Sequence, residues 1–312
     1  MTSGFFQTSI DAQSRPYTAF ITSFGLYQWC RLPMGLKGAA SYFQRMMASV
    51  VLAGLLYSIV ELYLDDVLVY ATSEDELIER LRTVFIRLRE FNITLNPKKC
   101  SFGMEEVEFV GHILKTDGVH FSTEKRSKVL DFPLPEKQKH LKSFLGLVNY
   151  FRDHVEGLSV LTKPLNDLTT PYKKSSSIMW TPQLEELFKH IQEAVGNCPK
   201  LYYVDNDLPI HVRTDASDYG IGGYMFQKNG HKELPIRFIS KSLHKSQWNR
   251  STIEKEAFAI FYTVTKYDFL LRDVKFNIET DHKNLTYLKT AQSAKVRRWQ
   301  LACRNMISHV ST

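Results

Sequence analysis

Short apolar stretches punctuated by polar turns run along most of this 312-residue chain, and their spacing predicts its elements before any chemistry is considered. Ile59-Val60 with Leu62, and Val67-Leu68-Val69, flank the pair Asp65-Asp66. Apolar runs of that length around a turn-like pair predict a β-hairpin with acids at its tip. Upstream, residues 17–24 read as a strand and residues 36–56 as a largely apolar helix. Downstream, Leu77, Ile78, Leu81, Val84, Phe85 and Leu88 recur at helical spacing through residues 74–91, and Asn96-Pro97 stops that helix. Residues 102–114, with Gly103 and Gly111, read as a hairpin or strand pair, and a domain boundary is placed near residue 120, ahead of the break at Pro133 and Pro135.

Two helices are predicted next, one around residues 141–154 and one presenting Leu184, Leu187, Phe188, Ile191 and Val195 on a single face. A second boundary falls at residues 202–209, where Asp205-Asn206-Asp207 and Pro209 make a turn or linker. Beyond it, Ile210, Val212 and Thr214 alternate with His211, Arg213 and Asp215. Strands over residues 220–226 and 235–240 follow, then a helix over residues 254–271 and a strand in which Phe276 and Ile278 alternate toward Asp281. The order in this last region is β-β-β-α-β. Neither an internal repeat nor a low-complexity tract is present.

Composition narrows the picture. A hydrophobic fraction of 44% with 20 Phe and 15 Tyr supports folded domains, and a length of 312 residues favours two or three of them. The formal charge of +7 suits a polyanionic partner. Cys30, Cys100, Cys198 and Cys303 are widely spaced, which argues against a zinc knuckle or a disulfide scaffold and for a reduced intracellular setting, in the cytoplasm or nucleus. No apolar run reaches the roughly 18 residues of a membrane span, and Met1 is followed by a polar start, so membrane insertion and secretion are not expected.

The candidate chemistry lies in carboxylates. Two-metal phosphoryl transfer needs acids clustered tightly enough to hold divalent ions roughly 3.5–4 Å apart, and a tight turn presents Asp65 and Asp66 to one site. An acidic pair is also ordinary turn composition. In the last region Asp215 closes the first strand and Asp281 the fourth, so both acids can meet at one sheet edge. The intervening helix begins Ile253-Glu254-Lys255-Glu256 and can bring a third carboxylate; periodicity does not choose between Glu254 and Glu256. Acids in a first helical turn are also favoured by the helix dipole alone.

Several motifs, taken in order, carry a family resemblance. Ser14-Arg15-Pro16, Thr18-Ala19-Phe20, Leu32-Pro33-Met34-Gly35-Leu36-Lys37, Phe43-Gln44 and Tyr63-Leu64-Asp65-Asp66 resemble the palm of a Ty3/gypsy-type retrotransposon reverse transcriptase. Lys99-Cys100-Ser101-Phe102, Phe109-Val110-Gly111-His112, Ser143-Phe144-Leu145-Gly146-Leu147, Asn149-Tyr150-Phe151-Arg152 and Pro164-Leu165 are similar to its primer-grip and thumb segments. Trp180-Thr181, Thr214-Asp215-Ala216-Ser217, Glu254-Lys255-Glu256 and Thr280-Asp281-His282 resemble its ribonuclease H domain. The resemblance implies an α+β fold: a partial palm over residues 1–120 without fingers, a helical thumb or connection over 121–204, and an incomplete ribonuclease H-like α/β domain with a mixed sheet over 205–312.

The same resemblance implies roles. Asp65 and Asp66 are matched to polymerase metal ligands, Phe5 to the aromatic that screens the incoming sugar, and Phe109, Val110, Gly111 and His112 to the primer grip. Asp215, Glu256 and Asp281 are matched to three ribonuclease H carboxylates, which selects Glu256 over Glu254. Lys295, Arg297 and Arg298 would lie near the phosphates of a hybrid, while His282 reads as structural. The implied cofactor is Mg²⁺, with Mn²⁺ as a substitute. The implied partners are an RNA–DNA hybrid or primer-template and, in the parent enzyme, deoxynucleoside triphosphates; no membrane partner is implied, and oligomeric state is left open.

Departures shape the expectation for this chain. The family's first palm aspartate would precede Met1, and its final ribonuclease H strand, helix and fourth acid would follow Arg297-Arg298-Trp299, for which little chain remains. Gly38-Ala39-Ala40 stands where the family commonly has Asn-Ala-Pro. The reading is therefore a retrotransposon polyprotein fragment, its polymerase activity lost and its nuclease weak or absent. The alternative is a non-catalytic nucleic-acid-binding or host-adopted interaction protein.

Overall fold

The computed structural model describes residues 1, 4–171, 176–272, 274–280, 296–299 and 307–311. Two compact units divide the chain, Met1–Val110 and Gly111–Thr312. The first opens with short 3-10 turns at Gly4–Gln7 and Arg15–Thr18 and a small antiparallel hairpin of β1 (Phe20–Thr22) and β2 (Gly25–Tyr27). Where one strand was expected over residues 17–24, Pro16 fixes the first helical turn instead, and only three residues remain extended. The helix expected over residues 36–56 is also shorter. It comprises α1 (Ala39–Met46) and a π-type turn at Met47–Val51, because Gly35 at φ 94 precedes it and Gly54 at φ 79 follows it in conformations no right-handed helix contains.

The predicted acidic hairpin forms from β3 (Val60–Tyr63) and β4 (Asp66–Val69), in antiparallel register Val60↔Val69, Leu62↔Val67 and Tyr63↔Asp66. Helix α2 (Glu74–Glu90) follows. Ser73 caps it by accepting from the Glu76 amide; Glu74, Asp75 and Glu76 occupy its first turn, and Arg87 and Arg89 its last, the charge order that the helix dipole favours. Val84 and Leu88 turn inward against Phe43, Met47, Val51, Leu52 and Val60, so helix spacing and hairpin alternation converge on one core. Strand β5 (Glu106–Phe109) closes the unit.

The second unit starts with the antiparallel pair β6 (His112–Lys115) and β7 (Gly118–Phe121). Among the described residues the helices α3 (Thr123–Leu130), α4 (Gln138–Val148), α5 (Leu158–Leu161), α6 (Lys163–Asp167) and α7 (Pro182–Gly196) follow. Leu141, Phe144, Val148, Phe151, Leu165, Phe188, Ile191 and Val195 fill their common core. The helix expected to reach residue 154 stops at Val148 and tightens into a 3-10 turn, Asn149–Phe151.

Last comes a mixed five-stranded sheet made of β8 (Ile210–Ala216), β9 (Gly220–Asn229), β10 (Lys232–Ser242), β11 (Phe276–Glu279) and β12 (Ile307–Ser311), in the order β10-β9-β8-β11-β12. The first three strands pair antiparallel, while β8, β11 and β12 run parallel. Between β10 and β11 lie α8 (Lys245–Trp248), α9 (Thr252–Lys266) and α10 (Asp268–Leu271). The predicted β-β-β-α-β order holds, with one correction: the final strand thought to lie past the end of the chain is β12, paired in parallel with β11. Ala257, Ile260 and Val264 of α9 pack on Ile210, Val212, Met225 and Ile278 of the sheet. Helix α5 is stitched to β10 by Ser159 and Ser240, whose amide-to-hydroxyl bond is 2.8 Å and hydroxyl-to-carbonyl bond 3.0 Å. The architecture is α+β, as expected.

Candidate active sites

Only Leu64 and Asp65 separate the paired residues Tyr63 and Asp66, so the acids sit at the tip of the β3–β4 hairpin, Asp65 half-buried and Asp66 exposed. Leu64 takes φ 53, a left-handed conformation costly for a residue with a Cβ. One side chain offsets that cost. Gln44 of α1 accepts a hydrogen bond from the Leu64 amide (2.5 Å) and donates to the Leu62 carbonyl (3.2 Å), so a single amide grips the turn on both sides of Tyr63. Gly4 packs on the same tip: a Cβ there would lie 3.0 Å from the Phe43 ring and 3.3 Å from Asp65 Cβ. Phe5, next in the chain, sets its ring 5.0 Å from that of Phe43. The structure thus brings Asp65, Asp66 and the turn bearing Phe5 together.

Phe109 ends β5, His112 begins β6, and Val110 and Gly111 between them are both left-handed, at φ 49 and 79. Lys125 Nζ donates to the Gly111 carbonyl (2.8 Å) and lies 4.7 Å from the centre of the Tyr150 ring. The His112 ring packs on Phe121 (4.8 Å), Tyr150 (5.6 Å) and His154 (6.0 Å). Burial, reinforced by the Lys125 charge, lowers the pKa of His112. Burial likewise pushes His154 down to about 4, although its Nδ1 bonds the Pro199 carbonyl at 2.9 Å. These imidazoles are neutral packing groups near neutral pH.

Asp215 lies one residue before the end of β8, exposed and opposite Gly222 of β9. A Cβ on Gly222 would touch nothing within 4 Å, and beside it opens a cleft of about 230 Å³ lined by Asp215, Gly220, Gly222, Tyr224, Glu156 and Val160. Glu256 sits on the neighbouring helix α9 and is buried, whereas Glu254 is half-buried in the first turn. Thr280 is buried just after β11; Asp281, His282 and Lys295 lie outside the described residues. Arg297 and Arg298 are exposed on a short helical segment at 296–299. No group of three or more His, Cys, Asp or Glu side chains able to hold a metal forms among the described residues. The acids that are placed offer only carboxylate oxygens, the donors that hard divalent cations take.

Two features escaped the sequence reading. Gln44 was legible only as part of a motif, since nothing in spacing reveals a side chain that bonds a backbone eighteen residues later. A second cleft, about 330 Å³, is lined by Lys142, Gly146, Asn149, Arg152, Asn166 and Thr169. Its signal was Gly146, a glycine inside a helix whose absent Cβ would meet nothing within 4 Å.

Comparison with known proteins finds two domain families in the chain. Residues 1–114 match the family model of reverse transcriptase (RNA-dependent DNA polymerase), and residues 205–305 match the RNase H-like domain found in reverse transcriptase. The retrovirus-related Pol polyprotein from transposon 412 of Drosophila melanogaster is 34% identical over 286 residues, covering 92% of this chain and 23% of that protein. The transposon Tf2-3 polyprotein of Schizosaccharomyces pombe is 32% identical over 290 residues, covering 91% of this chain and 22% of its own length. The chain therefore spans less than a quarter of either relative. A foamy viral protease-reverse transcriptase in complex with RNA/DNA hybrid has a TM-score of 0.80 at 24% identity over 99% of this chain and 43% of its own. The foamy viral protease-reverse transcriptase dRH in complex with ds DNA gives 0.81 at 23% identity, over 99% of this chain and 55% of its own. At that identity the likeness establishes the fold.

Proposed function

The chain belongs to the Ty3/gypsy-type reverse transcriptases with a ribonuclease H-like domain, as a segment of a retrotransposon polyprotein, and from that premise we propose that it serves RNA-directed DNA synthesis and hydrolysis of RNA in RNA–DNA hybrids. Families of both domain types are generally dependent on divalent metals. Asp65 and Asp66 would hold Mg²⁺, or Mn²⁺ in its place, and the ion would supply charge stabilisation for phosphoryl transfer from the incoming nucleotide, with pyrophosphate as the leaving group. The chain's own part is positioning: Gln44 fixes the hairpin tip, and Phe5, on a turn packed against Asp65, screens the sugar of the incoming deoxynucleoside triphosphate. The Phe109–His112 segment steadies the primer strand, its turn braced by Lys125. Asp215, Glu256 and Asp281 serve the nuclease.

The single observation that carries this reading is the Tyr63-Leu64-Asp65-Asp66 tip gripped by Gln44 and packed on Gly4. A nucleic-acid partner is supported by the hybrid and duplex bound to the structural neighbours and by the cleft bearing Lys142 and Arg152. Among the described residues no helix is long and apolar enough to cross a membrane; an intracellular setting, cytoplasm or nucleus, remains part of the proposal. Matches to catalytic domains do not favour the binding-only alternative. The test is RNA-templated primer extension by the polyprotein containing this segment. Asp65→Asn and Asp66→Asn should each abolish extension while leaving template affinity intact, and wild-type extension by either variant would refute the assignment.

A further inference from the structure

Lys255 is a charged residue turned the wrong way. Lysines ordinarily carry the ammonium to water on a flexible stem and are almost never buried unless paired. On α9, however, the Lys255 side chain is only 7% exposed, and its Nζ lies 2.6 Å from Oδ1 of Asp218, itself 79% exposed. Asp218 belongs to the turn between β8 and β9, three residues beyond Asp215, and Lys255 directly precedes Glu256. That turn is stiff on its other sides. The Ser217 amide donates to the Gly220 carbonyl (2.8 Å), the Ser217 hydroxyl accepts from the Gly220 amide (3.1 Å), and the Leu243 amide donates to the Tyr219 carbonyl (2.7 Å). The Tyr219 ring meets Trp248 edge-on at 5.4 Å. The ion pair fastens this rigid turn to the helix.

We propose that Lys255 and Asp218 form a positioning pair that sets the spacing of Asp215 and Glu256, an inference that rests on the nuclease reading of those acids. A partly exposed pair adds little to global stability; its effect lies in holding the turn and the helix start in one relation. Carboxylates that must share a cation lose affinity when the groups orienting them are removed.

The test uses the full chain and four proteins: wild type, Asp218→Asn, Asp218→Glu and Asp215→Asn. Mn²⁺ binding is followed by electron paramagnetic resonance, amide hydrogen exchange is read at residues 216–220 and 252–257, and thermal melting checks the fold. Asp218→Asn should bind the Asp215-dependent Mn²⁺ about tenfold more weakly, and Asp218→Glu within about twofold of wild type. Exchange should quicken in both segments of Asp218→Asn, with melting within a few degrees of wild type. Unchanged affinity, or an equal loss in Asp218→Glu, would overturn the pair's role. If wild type shows no Mn²⁺ binding that Asp215→Asn removes, the nuclease reading fails, and exchange alone then decides whether the pair fastens turn to helix: unchanged exchange in Asp218→Asn overturns it.

Discussion

Replacing Gln44 with Leu removes both hydrogen bonds at the acidic tip while keeping the side chain's approximate size. The Leu64 amide loses its 2.5 Å acceptor and the Leu62 carbonyl its 3.2 Å donor. Each bond is worth about 1 kcal/mol net, and stranding the half-buried Leu64 amide adds up to about 1 kcal/mol, for a total of roughly 2–3 kcal/mol. Leu64 at φ 53 is strained, so the tip has a lower-energy conformation available once the grip is released. At 1.36 kcal/mol per factor of ten, opening of the tip should become about 30- to 150-fold more frequent. Amide hydrogen exchange at Leu64 reads this directly, and primer extension in the polyprotein should fall with it. Gln44→Glu keeps the acceptor and loses the donor, so its exchange should fall between wild type and Gln44→Leu. Wild-type protection of the Leu64 amide in Gln44→Leu would show that Gln44 does not hold the tip.

Three further outcomes are expected. Gly111→Ala places a Cβ at φ 79 and 1.6 Å from Lys125 Nζ, so Lys125 must leave the Gly111 carbonyl; denaturant unfolding should show a loss of about 1–2 kcal/mol. His154 has an ordinary pKa of 6.5 and is held at about 4 when folded; because the unfolded chain protonates first, its contribution is complete above pH 6.5 and is lost as pH falls toward 4. Urea midpoints should drop across that window by up to about 3 kcal/mol in stability, and His154→Phe should flatten the drop. Ile278→Ala opens a cavity where β11 meets the α9 core and should cost about 2–5 kcal/mol, read as a lower melting temperature.

What was legible in the sequence followed from periodicity. The acidic hairpin, α2 and the strand-strand-strand-helix-strand run announce themselves because each buries one face against a single neighbour, and its apolar residues recur with the period of that face. Residues 36–56 were over-read as one helix because an apolar pattern does not show where Gly35 and Gly54 turn left-handed. Strand β12 was missed because motif spacing, not the local pattern Ile307–Ser311, was used to judge where the sheet should end. The candidate site was legible in its acids, which belong to short contiguous motifs. Its supports were not: Gln44 on Leu64 and Lys255 on Asp218 join residues 20 and 37 positions apart through side chains with no period.

The most direct measurement of the central claim is anomalous diffraction at the manganese edge from crystals of the polyprotein segment with primer-template and Mn²⁺. A manganese peak is expected about 2.0–2.3 Å from carboxylate oxygens of both Asp65 and Asp66, as hard-cation coordination requires. Manganese bound elsewhere, with the Asp65–Asp66 tip unliganded beside an ordered primer end, would contradict it.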